Sequence, residues 1–363
     1  MKNKKILFYT MAMINGGTER TIANLSNHFI KNYDITIVTN INGPIDYKLN
    51  KKIKVIPIDN KDRRNEPIIK KAITKTSSKR TKKLKAIIEE EKPNLIIVTL
   101  PEPTIRVLSL KKYYNIPIIV SIRNHPNSEF KSIIGKTIRN KYYKNADIIT
   151  IQDDNYKKYL NNNNTKVIPN YLSDEFVKDK IKVKKEKRII TISRLEKQKN
   201  IPLLINAFAN LDKKYNEYKL LIIGSGKEKN RIKKLINNKN LNNRIIIKDN
   251  SNNIKEELLS STIFVLTSNY EGMPNSLLEA MSCSLPVITT NSTEALNNII
   301  DNNKNGIIID KNKPKELTNK IEYLLDNKNI REKLGKEAST IREKYNKSLI
   351  IKEWEQIIKE ELN

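Results

Sequence analysis

Short, unbroken apolar runs alternate along the chain with longer stretches in which apolar residues recur every three or four positions. The short runs are Ile, Leu and Val with little polar alternation, as expected of parallel strands buried on both faces. Six fall in the first half: Lys4 to Thr10, Ile35 to Thr39, Ile53 to Ile58, Leu95 to Thr99, Ile116 to Ile122 and Ala146 to Ile151. Helical spacing separates them, as in Thr18 to Ile30, where Ile22, Leu25, Phe29 and Ile30 share a face. Lys166-Val167-Ile168-Pro169-Asn170 closes this half, and the lysine-rich segment Ser173 to Lys187 leads to a second set of strands. These are Arg188 to Ile192, Lys219 to Ile223, Arg244 to Lys248, Thr262 to Leu266, Pro286 to Thr290 and Gly306 to Ile309. Tyr345 to Leu362 ends the chain with Ile350, Trp354, Ile357 and Ile358 at helical spacing. The rhythm predicts an α/β protein of two doubly wound domains, residues 1–170 and 171–344, followed by a helix over 345–363.

A chain of 363 residues has room for two such cores. Its single cysteine, Cys283, lies at an apolar helix end and cannot form an internal bridge, which fits a reducing compartment. Met1-Lys2-Asn3-Lys4-Lys5 and the apolar residues after it imitate a signal peptide, but they run into Asn15-Gly16-Gly17 without a small-x-small cleavage site and read as a first strand. No apolar run approaches the length of a membrane span, so a cytoplasmic protein is expected. Lys and Arg total 69 against 40 acidic residues, a formal net charge of +29. Such a field attracts nucleic acid, an anionic membrane face or phosphorylated substrates, and composition does not choose among them.

The densest candidate chemistry follows the strand Thr262 to Leu266. Thr267-Ser268-Asn269 ends that strand, Glu271 stands in the loop, Pro274 suits a first helical position, and Ser276 to Met281 continues as a helix carrying Glu279. At about 1.5 Å per residue, Glu271 and Glu279 are separated by about 8–10 Å along the axis, too far to share a proton. That is about the span from a hexose across a diphosphate to a ribose; a carboxylate suits the hydroxyls at each end, and the first-turn amides suit the anionic middle. Taken alone, the spacing more often describes one solvated loop glutamate and one on a helix face. Arg194 and Lys199 bracket another strand-to-helix loop, Ser193 to Asn200, where a planar fork and a point charge suit a diphosphate, or where both are plain surface cations. Gly16 and Gly17, and Gly224 with Gly226, also follow strands, where a ligand can approach the backbone or where the chain simply turns.

The string Glu271-Gly272-Met273-Pro274-Asn275-Ser276-Leu277-Leu278-Glu279-Ala280-Met281 resembles the E-x7-E motif of the family 4 glycosyltransferases. Arg194 to Lys199 resembles their R-x4-K motif, and Gly16-Gly17-Thr18-Glu19-Arg20 their G-G-x-E-R entry loop. The resemblance covers nearly the whole chain and is most specific from Arg188 to Asp310; Ser284, where a Gly is common, and Asp249-Asn250-Ser251, which lacks the usual Gly, depart from it. It implies the GT-B architecture, two Rossmann-like domains facing across a cleft, with the last helix returning to the first domain. It further implies a retaining transfer of a hexose from a nucleotide diphosphate sugar, UDP or GDP, to a glycan acceptor that is often lipid-linked, in capsule, exopolysaccharide or envelope assembly. Glu271 and the backbone of Gly272, Met273, Pro274 and Asn275 would then hold the hexose, Glu279 the ribose, and Arg194 and Lys199 the diphosphate. Gly224 would lie near the nucleotide, and Gly16 and Gly17 would close over the donor from the other domain.

Arg123 and His125, in Arg123-Asn124-His125-Pro126, end the fifth strand, near where the family often has a histidine beside the transferred sugar. Either suits a sugar or acceptor contact; His28 reads as a surface residue. No Asp-x-Asp pair is present to hold a divalent cation, so neither a metal nor a bound cofactor is expected. Phe130 to Lys144 reads as a basic amphipathic helix, suited to an anionic membrane or to packing its apolar stripe in the core, and Lys61 to Lys85 as a solvated cationic face. A sugar-nucleotide epimerase or hydrolase on the same architecture is the alternative enzyme. Nucleic-acid binding is disfavoured, because the cations are spread, the aromatics are not grouped and no binding motif appears.

Overall fold

The computed structural model describes residues 4–14, 16–59, 75–130, 132–162, 164–177, 183–249, 251 and 253–363. Asn15, residues 61–74 of the cationic stretch, Lys131 and Asn250 therefore lie outside the described residues. The chain forms two compact units, Met1–Asn170 with Ser348–Asn363, and Tyr171–Lys347.

The first unit is built on a seven-stranded, wholly parallel sheet in the order β3-β2-β1-β4-β5-β6-β7. Its strands are β1 (Lys5–Thr10), β2 (Asp34–Ile41), β3 (Lys54–Asp59), β4 (Leu95–Thr99), β5 (Ile118–Ser121), β6 (Ile148–Ile151) and β7 (Thr165–Val167). The unbroken apolar runs form the strands that are buried on both faces: Ile6 to Tyr9 of β1 are at most 1% exposed. β5 is shorter than its apolar run, because Pro117 has no amide to give the ladder. β7, three residues ending the half, is too short and polar to be seen as a strand in advance. The basic stretch from Phe130 holds one helix, Ile133–Tyr143, which a short helix, Pro126–Glu129, precedes, with Phe130 buried between the two. The closing helix, Lys347–Leu362, buries Ile350, Ile351, Trp354, Ile357, Ile358 and Leu362. It starts two residues later than its apolar spacing suggests, after a separate turn of helix at Ile341–Lys344.

The second unit carries a six-stranded parallel sheet in the order β10-β9-β8-β11-β12-β13. Here the strands are β8 (Arg188–Ile192), β9 (Lys219–Ile223), β10 (Ile245–Lys248), β11 (Ile263–Leu266), β12 (Val287–Thr290) and β13 (Ile307–Ile309). In each sheet the strand order reverses once, between β1 and β4 and between β8 and β11. At such a switch point two loops leave the carboxyl ends of neighbouring strands toward opposite faces, opening a crevice that α/β sheets use for ligands. Cys283 is buried and its thiol is pushed up to about 11 by that burial, so it stays protonated and inert.

Ser284 adopts φ 56°, a left-handed conformation that a Cβ disfavours, and its hydroxyl is buried without a hydrogen-bond partner. Ser284→Gly removes both costs, against a smaller entropic one in the unfolded chain. It is expected to stabilise the second unit by about 1 kcal/mol and to raise its thermal midpoint by about 2–4 °C. Scanning calorimetry that finds the midpoint unchanged or lower would contradict the strained backbone.

Candidate active site

The switch point of the second sheet brings two loops together. The β8 loop runs from Ser193 to Asn200, includes a single 3-10 turn at Lys197–Lys199, and hands over to the helix Ile201–Ala209 through Asn200 in the left-handed conformation. The β11 loop runs from Thr267 to Pro274 and enters the helix Asn275–Ser282. They are laced by hydrogen bonds: the Asn269 amide donates to the Gln198 carbonyl at 2.8 Å and the Gln198 side-chain amide to the Tyr270 carbonyl at 2.8 Å. The Thr267 hydroxyl donates to the carbonyls of Lys199 and Asn200 at 3.0 and 3.1 Å.

Lys199 and Glu271 meet across this lacing as an ion pair. Their side chains are 14% and 8% exposed, so the pair is mostly withdrawn from solvent. The Ser268 hydroxyl donates to the same carboxylate oxygen, Oε1, at 2.6 Å. Oε2 accepts from no group among the described residues and is left for an incoming donor. The backbone of Glu271 is fixed by its amide, which donates to the Ser292 carbonyl at 3.2 Å, and Thr290 anchors the Ser268 carbonyl at 2.6 Å.

Arg194 stands on the same β8 loop as Lys199 but is exposed and makes no ion pair among the described residues. The two cations thus have different states: one is neutralised by Glu271, the other is open to an anion. Gly272, Met273 and Pro274 are buried beside Glu271, with the Thr293 hydroxyl on the Gly272 carbonyl at 3.3 Å. Pro274 precedes the helix instead of opening it: its carbonyl accepts the amides of Leu277 and Leu278 at 3.2 and 3.3 Å, and Asn275 is the first helical residue. That leaves the amides of Asn275 and Ser276 without intrahelical acceptors. Glu279, 7% exposed, lies further along this helix.

Gly224 and Gly226 follow β9 and pack on the β8 loop. A Cβ on Gly224 would lie 1.9 Å from the Ser193 carbonyl oxygen, and one on Gly226 2.4 Å from that of Leu195. Both have positive φ, 148° and 155°, and the Leu195 amide donates to the Ser225 carbonyl at 2.8 Å. Loop packing against the base of Arg194 alone is sufficient reason for these two glycines.

The remaining candidates belong to the first unit. Gly16 precedes the helix Gly17–Phe29; the Tyr47 hydroxyl donates to its carbonyl at 2.6 Å and accepts from its amide at 2.7 Å. Burial raises the Tyr47 phenol above its ordinary pKa, partly offset by that bond to Gly16, so it remains a donor. Arg123 is engaged by the Asn170 side chain, with weaker contacts to the Ile168 carbonyl and the Thr21 hydroxyl at 3.4 and 3.5 Å. His125 caps the helix Pro126–Glu129: its Nδ1 accepts the Asn127 amide at 3.2 Å, which puts the ring proton of the neutral form on Nε2. Its ring packs against Tyr156 and Tyr159 at centroid distances of 5.2 and 5.1 Å. His28 pairs with Glu355 at 2.7 Å on the surface.

Sequence reasoning did not single out Ser268, Thr290 or Ser292 as supports of Glu271; Ser268 was visible only as part of a polar strand end. It also missed a buried charge cluster after β4, where Glu102 accepts from Arg80 at 3.1 Å and from Arg106 at 2.6 Å. The spacing of Glu102 and Arg106 on one helix was the available signal. Among the described residues, no three His, Cys, Asp or Glu side chains are grouped to hold a metal ion.

Residues 173–340 match the family described as glycosyl transferases group 1, and residues 15–176 match glycosyltransferase family 4. The chain belongs to this family, is a glycosyltransferase, and has the GT-B fold. An uncharacterized glycosyltransferase of Methanocaldococcus jannaschii is 34% identical over 239 residues, 58% of this chain and 59% of that relative. A Campylobacter jejuni enzyme named GalNAc-alpha-(1->4)-GalNAc-alpha-(1->3)-diNAcBac-PP-undecaprenol alpha-1,4-N-acetyl-D-galactosaminyltransferase is 25% identical over 99% of both chains. The structure of Anabaena HepE in complex with UDP superposes with a TM-score of 0.82 at 16% identity, over 98% of this chain and all of that one.

Proposed function

We propose that the protein transfers a hexose, with retention and without a metal ion, from a UDP- or GDP-sugar to a hydroxyl of a lipid-linked glycan in envelope, capsule or exopolysaccharide assembly. The observation that carries this reading is the division of labour at the β8–β11 switch point: a solvent-facing Arg194 beside a withdrawn Lys199–Glu271 pair. Arg194 offers its guanidinium to the donor diphosphate as a two-pronged contact. Lys199 lies close enough to the sugar-binding carboxylate to neutralise the phosphate oxygen that gains charge as the glycosidic bond breaks. Glu271 is already held by Lys199 and Ser268, so its second oxygen is pre-aimed at the sugar hydroxyls and loses little entropy on binding. The open amides at Asn275 and Ser276 favour the anionic middle of the donor, and Glu279 is assigned to the ribose.

The absence of an Asp-x-Asp pair from the sequence supports charge neutralisation by these side chains instead of a cation. The undecaprenol-linked acceptor in the name of the full-length Campylobacter relative supports a lipid-linked acceptor, met at the inner face of the membrane. No helix among the described residues is long and apolar enough to cross a membrane, so such an acceptor would be reached by peripheral association.

Calorimetric titration of UDP, GDP, ADP and CMP in chelator-containing buffer tests the reading. One of UDP or GDP is expected to bind the wild type, and Arg194→Ala to weaken it about 10–100-fold, the worth of a charge-assisted contact to phosphate. If neither binds the wild type, the donor site is not here. Donor turnover without any acceptor would point to the hydrolase or epimerase instead.

A further inference from the structure

Leu100, between β4 and the helix Pro101–Leu110, holds φ 67° and ψ 146°, a region that glycine alone occupies at ease. Six other non-glycine residues among those described have positive φ, and none of them is apolar. Leu100 is pinned from both sides. The Thr99 hydroxyl donates to that of Thr10, at the end of β1, at 3.0 Å, and the Leu100 carbonyl accepts the Thr104 amide at 3.1 Å. Pro101 bars Leu100 from helical angles, so its way out is an extended conformation of negative φ, which would swing the helix entry away from the strand. Glu102 opposes that swing: it is 7% exposed, and its Oε1 accepts from Arg80 of the helix Lys75–Glu91 at 3.1 Å and from Arg106 at 2.6 Å. Arg80 reaches on to Asp59, at the end of β3, at 3.4 Å. Two buried arginines on one buried carboxylate lose to desolvation about as much as they gain from attraction, so what the triad supplies is position.

We infer that Glu102 is a positioning residue for the transfer, holding the Leu100–Pro101 turn strained so that it stands ready as a wall for the acceptor. Its place in the fold decides this reading. β1 and β4 form the switch point of the first sheet, and their exits carry the Gly16–Gly17 loop and the Leu100 turn. The charged groups assigned to the donor, Arg194, Lys199, Glu271 and Glu279, belong to the second unit, so the crevice of the first falls to the other substrate. A backbone strained against its own residue type persists only where its surroundings over-determine it, and such places gather at ligand sites. A preset turn spares the acceptor the ordering that a relaxed one would cost on binding. Leu100 is half-buried, which leaves an aliphatic edge for the apolar face of a sugar ring. The inference rests on the transferase reading for its purpose, though not for its geometry.

Transfer from radiolabelled UDP- and GDP-hexoses to a lipid extract of the cells that make the protein tests it, with the extract as the acceptor mixture. Leu100→Gly adopts the same angles without strain but is no longer confined to them, so the variant should fold with a thermal midpoint close to that of wild type. It should need about 10–100-fold more extract for half-maximal rate, the cost of a misplaced wall, while its donor KM stays unchanged. Leu100→Ala shortens the side chain but keeps the constraint, and should raise the requirement less. Glu102→Gln should match Leu100→Gly, and the double variant should be no worse than either, because both changes remove one constraint. Should Glu102→Gln fail to fold, the comparison of Leu100→Gly with Leu100→Ala decides. The inference is overturned if Leu100→Gly needs no more extract than wild type, if donor KM rises in step, if Leu100→Ala does equal harm, or if the two effects multiply. Calorimetric titration of UDP and GDP on the same samples keeps the two questions apart. A wild type that binds neither sinks the transferase reading, whereas a wild type that binds and transfers beside an unaffected Leu100→Gly sinks this inference alone.

Discussion

Lys199→Ala should lower kcat/KM by about 100–1,000-fold, the range for removing one preorganised group that meets developing charge. The effect has two sources. The leaving diphosphate loses a counter-charge, and Glu271, 8% exposed, keeps its charge with only Ser268 to answer it. An uncompensated carboxylate that is this withdrawn costs about 3 kcal/mol, so the variant should also unfold earlier than wild type. Removing Glu271 as well eliminates the stranded charge: Lys199→Ala/Glu271→Ala should be more stable than Lys199→Ala alone, although equally inactive. Steady-state kinetics with thermal denaturation on Lys199→Ala, Glu271→Ala and the double variant checks both parts. Stabilities that simply add would mean that the two side chains do not act as a pair.

Gly224→Ala is expected to be the most damaging single methyl group in the second unit. The added carbon would lie 1.9 Å from the Ser193 carbonyl oxygen and 2.9 Å from its carbon, both backbone atoms that cannot rotate away. The positive φ adds a second cost, and together they should reach about 3 kcal/mol or more. Because the displaced strand end is the base of Arg194, nucleotide affinity should fall too, even though Gly224 need not touch the ligand. Gly43→Ala, where an added carbon meets nothing within 4 Å, is the control and should be neutral. A midpoint for Gly224→Ala within about 1 °C of wild type would show that the β8 and β9 loops are not in such close contact.

Much of the architecture was written in unbroken runs of Ile, Leu and Val, because a parallel strand covered on both faces has no reason to alternate. Strand order was not, since pairing of β1 with β4 and of β8 with β11 joins segments far apart in sequence. The charged candidates Arg194, Lys199, Glu271 and Glu279 could be named from strand-loop-helix junctions and the family resemblance. Which cation takes Glu271 could not: that depends on the 3-10 turn at Lys197–Lys199 and on Thr267 bonding the carbonyls behind Lys199. Ile133–Tyr143 illustrates the opposite limit. A periodic pattern shows that a helix has two faces, but the hydrogen bonds offered by Pro126 and Asn127 decided that the one with Arg139 turned inward.

The first unit is assembled from both ends of the polypeptide, Met1–Asn170 and Ser348–Asn363. During translation its sheet must therefore wait, with one flank uncovered, until the entire second unit has left the ribosome. The only tryptophan of the protein, Trp354, is 1% exposed within that late-arriving helix. Its fluorescence consequently reports when the nascent chain has closed the circuit, independently of how far the intervening unit has folded.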